Sequence, residues 1–195
     1  MPRQRIAALH DARRVEHARE CTLGCVRLEE VNALGRGEFV ARLGAVFEHS
    51  PWVAERAWRA HPFSSVDELH QAMMSAVGQA SDEEQLALVR AHPELAGAQA
   101  IDRRLTKNSS REQARLGLNS LSSAEFRSMS ELNGRYREKF GFPCIIALRL
   151  HESRASVMTE MARRLENEPA KELPNALEQI GHIVRGRLAN LFGEE

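Results

Sequence analysis

Ser-X-X-Glu tetrads mark three helix starts: Ser65-Val66-Asp67-Glu68, Ser81-Asp82-Glu83-Glu84 and Ser122-Ser123-Ala124-Glu125. A hydroxyl three residues before a carboxylate lets two side chains satisfy the orphan N–H groups of a helix start reciprocally. Pro51, after Ser50, suits the first turn of a further helix through Trp52, Ala54 and Trp58. Val, Ile, Thr and the aromatics number only 30 of 195 residues. Sheets need those branched and aromatic surfaces, so few strands can be built. The chain reads as all-α, a single-domain compact multi-helix bundle.

Apolar residues at helical spacing place the elements. Phe126, Met129, Leu132, Asn133, Tyr136 and Phe140 line one side of a helix over Ala124–Phe140, stopped by Gly141 and Pro143. Leu177, Ile180, Val184, Leu188 and Leu191 do the same for a last helix over Leu173–Leu191. Further helices are predicted at Leu28–Leu34, Glu38–Glu48, Val66–Gln79, Asp82–Ala91 and Arg154–Asn167. Residues 1–25, with five arginines, are set apart as an N-terminal extension, either a disordered tail or an extra helix. Residues 26–195 form the helical domain.

Charge and cysteine content exclude several classes. With 27 basic and 27 acidic side chains, the chain lacks the cationic excess of a nucleic-acid or anionic-membrane binder. It has no apolar run of about 18 residues, so no spanning helix is expected. The N-terminal segment lacks the apolar core of a secretory signal. Three cysteines suit a reducing cytoplasm rather than a disulfide framework. Cys21, Cys25 and His17 lack the second ligand pair of a zinc finger, so no metal is assigned.

Two stretches break the helical pattern. One is Ala91-His92-Pro93-Glu94-Leu95-Ala96-Gly97 with the polar loop to Ser110; the other runs from Phe140 to Arg149. Gly and Pro beside apolar residues predict extended, packed backbone. Its peptide groups need partners, supplied either by the protein or by a polar ligand. His92 ends a capped helix and precedes proline, which stops the helix there. The helix C-terminus raises an imidazole pKa, and His92 is then a candidate proton donor. On local grounds a plain helix cap is the simpler reading, and His61, also before a proline, has the same local features. Ser110 and Gln113 form a possible capping box, placing Glu112 in a first helical turn where it could bind a ureido group or orient an imidazole. No nucleotide-binding glycine loop, zincin pair or serine elbow occurs. An enzyme built from these residues is expected to work without a cofactor.

Taken in order, His61-Pro62-Phe63-Ser64-Ser65, His92-Pro93-Glu94-Leu95-Ala96-Gly97, Ser109-Ser110-Arg111-Glu112-Gln113 with Gly117-Leu118, Leu132-Asn133, and Tyr136 through Pro143 resemble the OHCU decarboxylases. These are the 2-oxo-4-hydroxy-4-carboxy-5-ureidoimidazoline decarboxylases of urate degradation. The resemblance covers about Leu28 to Phe192. It implies an all-α, homodimeric, cofactor-independent, cytoplasmic carboxy-lyase that makes (S)-allantoin from a small ureidoimidazoline.

By motif match it also implies a catalytic His92, with Glu112 beside it. The substrate pocket then falls on Pro93, on Ser109, Ser110, Arg111, Glu112 and Gln113, and on Cys144, Ile145, Ile146, Ala147 and Leu148. Glu112 and Gln113 are expected to anchor ureido and ring amides, with backbone N–H groups of Cys144 to Ala147 on a substrate oxygen. Arg187 resembles a family arginine that could hold the carboxylate; a solvated surface arginine fits its pattern as well. Two other readings of the residues stay open. One is an enzyme acting on a different ureide, the other a non-catalytic helical interaction module.

Overall fold

A computed structural model describes residues 25–97 and 105–194. All of the expected N-terminal extension but Cys25, His17 and Cys21 included, therefore falls outside the described residues. Among those described there are nine α-helices and no strand. We number them α1 (Leu28–Asn32), α2 (Arg36–Leu43), α3 (Trp52–Ala57), α4 (Val66–Gly78), α5 (Asp82–Arg90), α6 (Lys107–Arg115), α7 (Ser123–Phe140), α8 (Arg154–Arg164) and α9 (Pro169–Phe192). The all-α reading holds.

Local chemistry sets most helix starts as the sequence indicates. Ser81 and Ser122 make full capping boxes with Glu84 and Glu125. Ser65 caps α4 by accepting from the Glu68 amide, while the Glu68 carboxylate accepts from Ser64 instead. Gly141 ends α7 at φ 76°, a left-handed conformation that a side chain would strain.

Three expectations need correction. The helix expected over Glu38–Glu48 ends at Leu43, followed by a 3-10 turn at Gly44–Val46, and Glu48 lies beyond it. Phe126, first residue of the apolar side of α7, is exposed, so that side is not buried along its whole length. The last helix begins at Pro169, not Leu173, and runs through Pro174. Pro169 fits the first helical position. Pro174 removes one internal hydrogen bond, and the turn holding it is fixed from outside by buried Glu172. That carboxylate accepts from Arg164 Nε (2.7 Å), from Asn167 Nδ2 (2.7 Å) and from the Tyr136 hydroxyl.

Helix α9 is the axis of the bundle. At 24 residues it is about 36 Å long, and it packs against α4, α5, α7 and the turns at Gly44–Val46 and Leu148–Leu150. Ala176, Ile180, Gly181, Val184 and Leu188 form its buried stripe. Met74 lies 3.3 Å from where a Cβ on Gly181 would stand, so the glycine allows α4 to approach closely. The same helix carries two buried charged residues near opposite ends, Glu172 and Arg187. Arg187 faces the two irregular stretches.

Candidate active site

The segment Phe142–Ala147 is extended and buried, as the sequence predicts. Its peptide groups are met by side chains from three helices. Arg164 of α8 donates to the Ile145 carbonyl, Arg115 of α6 to the Leu148 carbonyl, and the Ala147 N–H donates to Gln179 Oε1 of α9 (3.0 Å). The Ala147 N–H is thus occupied within the protein, which corrects the expectation that it faces a substrate oxygen. Behind the segment, burial pushes the Cys144 thiol up to about 12, so this cysteine is a neutral packing group.

The other irregular stretch folds back on Gln113. Its Oε1 accepts from the Ala96 N–H (2.9 Å) and its Nε2 donates to the Glu94 carbonyl (3.3 Å). Ala96 sits at φ 50°, and a Cβ on Gly97 would lie 2.7 Å from the Glu94 side chain. Gln113 therefore holds a tight turn. Its amide is spent there rather than free for a ureido group, a second correction. Asn133 of α7 adds a bond to the Leu95 carbonyl (2.8 Å).

Helix α6 begins at Lys107, capped by Thr106, whose hydroxyl accepts from the Ser109 N–H (3.3 Å). The expected Ser110–Gln113 box does not form, because the helix has started a turn earlier. Glu112 lies in the second turn, and its placement owes nothing to a helix N-terminus. Ser109, Glu112 and Gln113 point inward; Ser110 and Arg111 are exposed.

One cavity of about 30 Å³ gathers most of the expected residues: His92, Pro93, Ser109, Glu112, Gln113, Cys144, Ile145, Ile146, Leu148 and Arg187. Leu95 and Ile183, which the sequence did not single out, complete it. Ser110, Arg111 and Ala147 are not in its wall. On the far side of Glu112, Leu148 and Ile183 opens a groove of about 870 Å³, into which Arg111, Arg115, Arg149 and Arg185 project. His61 is elsewhere, stacked on Trp58 at 4.0 Å and bonded to the Asn32 carbonyl.

His92 is buried and its Nδ1 is 3.0 Å from the Leu88 carbonyl. A carbonyl only accepts, so Nδ1 carries the proton and a neutral ring has its lone pair on Nε2. That Nε2 is buried without a protein partner. Burial is the largest influence on the ring and lowers its pKa below 6.5, against the raising effects of the Leu88 carbonyl, Glu48 and Glu112. This corrects the expected rise: the chain after Arg90 is packed inside, where desolvation outweighs the helix C-terminus. The resting imidazole is a proton acceptor.

Arg187 is buried rather than solvated and lines the same cavity as His92. It donates Nε and Nη2 to the two Glu112 oxygens (2.7 and 2.8 Å), Nη2 to Glu48 Oε1 (3.0 Å) and Ser109 Oγ (3.2 Å), and Nη1 to the Val46 carbonyl (3.0 Å). Glu48 also accepts from Thr106 Oγ1 (2.8 Å) and from Ser109 Oγ. Burial raises the Glu48 pKa, but the Ser109 bond, Arg187 and Thr106 outweigh it and hold the carboxyl below its ordinary value. Sequence reasoning missed Glu48 and Gln179. Neither sits in a recognisable pattern, and only folding brings Glu48 to a partner 139 residues away.

The OHCU decarboxylase family model matches residues 32–189, most of the chain and every residue of this cavity. The chain belongs to the OHCU decarboxylase family. Its relatives include the 2-oxo-4-hydroxy-4-carboxy-5-ureidoimidazoline decarboxylases of Haloferax volcanii, 43% identical over 86% of this chain and 97% of that one, and of Bos taurus, 42% identical over 86% and 98%. A uric acid degradation bifunctional protein of Bacillus sp. is 38% identical over 87% of this chain, which corresponds to 33% of that larger protein. Among solved structures, an (S)-allantoin synthase superposes with a TM-score of 0.68 at 28% identity, covering 85% of this OHCU decarboxylase family member and 54% of that chain. An OHCU decarboxylase crystallised in the presence of (S)-allantoin shares the fold, with a TM-score of 0.63 at 23% identity.

Proposed function

We propose that this protein decarboxylates 2-oxo-4-hydroxy-4-carboxy-5-ureidoimidazoline to (S)-allantoin in urate degradation, with His92 carrying the proton. The observation that carries the reading is that His92, whose Nε2 is buried without a protein partner, lines one cavity with Arg187 and Glu112. Carbon 4 of this compound bears both hydroxyl and carboxylate, and carbon 5 is doubly bonded to a ring nitrogen. When the carboxylate leaves as CO2, its electron pair forms a C4=C5 bond and the former C=N pair moves to nitrogen, which takes a proton from solvent. The resulting enol must lose its hydroxyl proton and gain one at carbon 5. Neutral His92 Nε2 accepts the first and returns the second to one face, which fixes the S configuration. The ring is its own electron sink, so the protein needs only orientation and one positioned proton carrier.

Arg187 offers the Nε/Nη2 fork, which fits a carboxylate in bidentate fashion. Glu112, once turned from that fork, accepts N–H bonds from the ureido group. Pro93, Ile145, Ile146 and Leu148 supply apolar walls.

Turnover is measured by generating the substrate in situ with uricase and hydroxyisourate hydrolase and following the circular dichroism of allantoin. A racemic product formed at the spontaneous rate overturns the reading. Competition with other ureides tests selectivity. The lowered His92 pKa also sets a pH profile. The ring is neutral and active above about pH 6.5, and kcat/KM falls as pH drops through its lower, folded value. The unfolded chain binds that proton first, so stability also declines on acidification below about pH 6.5. A rate that rises on acidification contradicts the assignment.

A homodimer in the cytoplasm completes the proposal. Sedimentation is expected to give twice the monomer mass. Among the described residues no helix is long and apolar enough to cross a membrane.

A further inference from the structure

Three ionic groups meet beside His92, and the substrate of the preceding subsection brings a fourth. The cavity of about 30 Å³ has room for about two waters, so a substrate is admitted only if a side chain withdraws. The two carboxylates on Arg187 are unequal. The Glu112 side chain is 33% exposed and lines both the cavity and the outer groove. The Glu48 side chain is 1% exposed and is tied to Thr106, Ser109 and Arg187 at once. Glu112 occupies the arginine fork that a carboxylate substrate fits, whereas Glu48 engages only Nη2.

We propose that Glu48 is a positioning residue for the decarboxylation: it holds Arg187 and Ser109 in place and offsets the arginine's charge when Glu112 yields the fork to the substrate carboxylate. This rests on the activity proposed above. Two physical reasons support the role. An arginine tethered by one exposed carboxylate alone would regain its rotamer freedom as that carboxylate turned away; Glu48 and the Val46 carbonyl keep it fixed. The second concerns the reaction coordinate. The substrate carboxylate loses its charge on becoming CO2, so an uncompensated arginine binds the ground state better than the transition state and slows the step. A permanently bound carboxylate tempers that attraction while leaving the orientation intact.

The test is Glu48→Gln, whose amide oxygen can still accept from Ser109 and Arg187 and so spares the fold. In the circular dichroism assay kcat is expected to fall at least tenfold with KM unchanged or lowered, because the arginine now grips the ground state. The charged groups around His92 are Glu48, Glu112 and Arg187. Removing the Glu48 charge is therefore expected to move the His92 imidazole titration, followed by NMR, and the acid limb of kcat/KM to lower pH. Glu48→Asp, which keeps the charge, is expected to leave that limb in place. A folded Glu48→Gln protein with wild-type kcat, or a fall in melting temperature with no change in kcat or limb, overturns the proposal. So does a lowered kcat with a raised KM, which signals lost geometry without charge balance. A wild-type protein that is itself inert overturns the preceding subsection instead.

Discussion

Replacing His92 with alanine will lower kcat by about 10²–10⁴-fold, the usual worth of a positioned proton carrier, and leave the helical fold intact. The ring makes one hydrogen bond, to the Leu88 carbonyl of its own turn. Its removal leaves α5 capped by Ser81 and packed through Leu88 and Val89. Far-ultraviolet circular dichroism should therefore overlay the wild type while allantoin formation collapses toward the spontaneous rate. Because the same group accepts one proton and returns another, the residual product should also lose its chirality. Residual (S)-allantoin formed at the full rate would remove His92 from the mechanism.

The second large effect concerns stability. Arg164 and Glu172 are 1% and 0% exposed and form an ion pair joined by Tyr136, Asn167 and the Ile145 carbonyl. Arg164→Met strands a buried carboxylate and leaves a carbonyl of the extended segment without its donor. Breaking such a pair costs about 3–5 kcal/mol, a large share of the roughly 5–15 kcal/mol holding a domain together. The urea midpoint should fall accordingly. Adding Glu172→Leu should restore part of it, because the uncompensated charge is then gone; a double-mutant cycle reads the coupling. Two single variants each costing under about 1 kcal/mol would show that the network is dispensable. The effect bears on function, since Arg164 fixes Ile145, which lines the cavity.

The corrections share a cause. Ser110–Gln113 looked like a helix start because hydroxyl and amide have the right spacing, but Thr106 caps the helix earlier and Gln113 is drawn into the turn at Ala96. His92 looked like a raised-pKa histidine because its neighbours in sequence are a helix end and a proline. In space the ring is buried, and desolvation outweighs the raising effects of the Leu88 carbonyl, Glu48 and Glu112 and reverses the sign. In both cases a local signal competed with tertiary packing and lost.

The sequence alone determined what depends on near neighbours along the chain. Capping tetrads, helical periodicity and the Gly141 stop fix the all-α architecture, and the motifs of the family pointed to His92, Glu112, Cys144, Ile145, Ile146 and Leu148, which the fold brings to one cavity. These are short-range properties, encoded within a turn or two. The tertiary structure decided the electrostatics. It buried Arg187, brought Glu48 to it across 139 residues, emptied the resting His92 of its second proton and spent Gln113 on a turn. Desolvation and long-range ion pairing depend on which surfaces meet when helices pack. No spacing along the chain reports that.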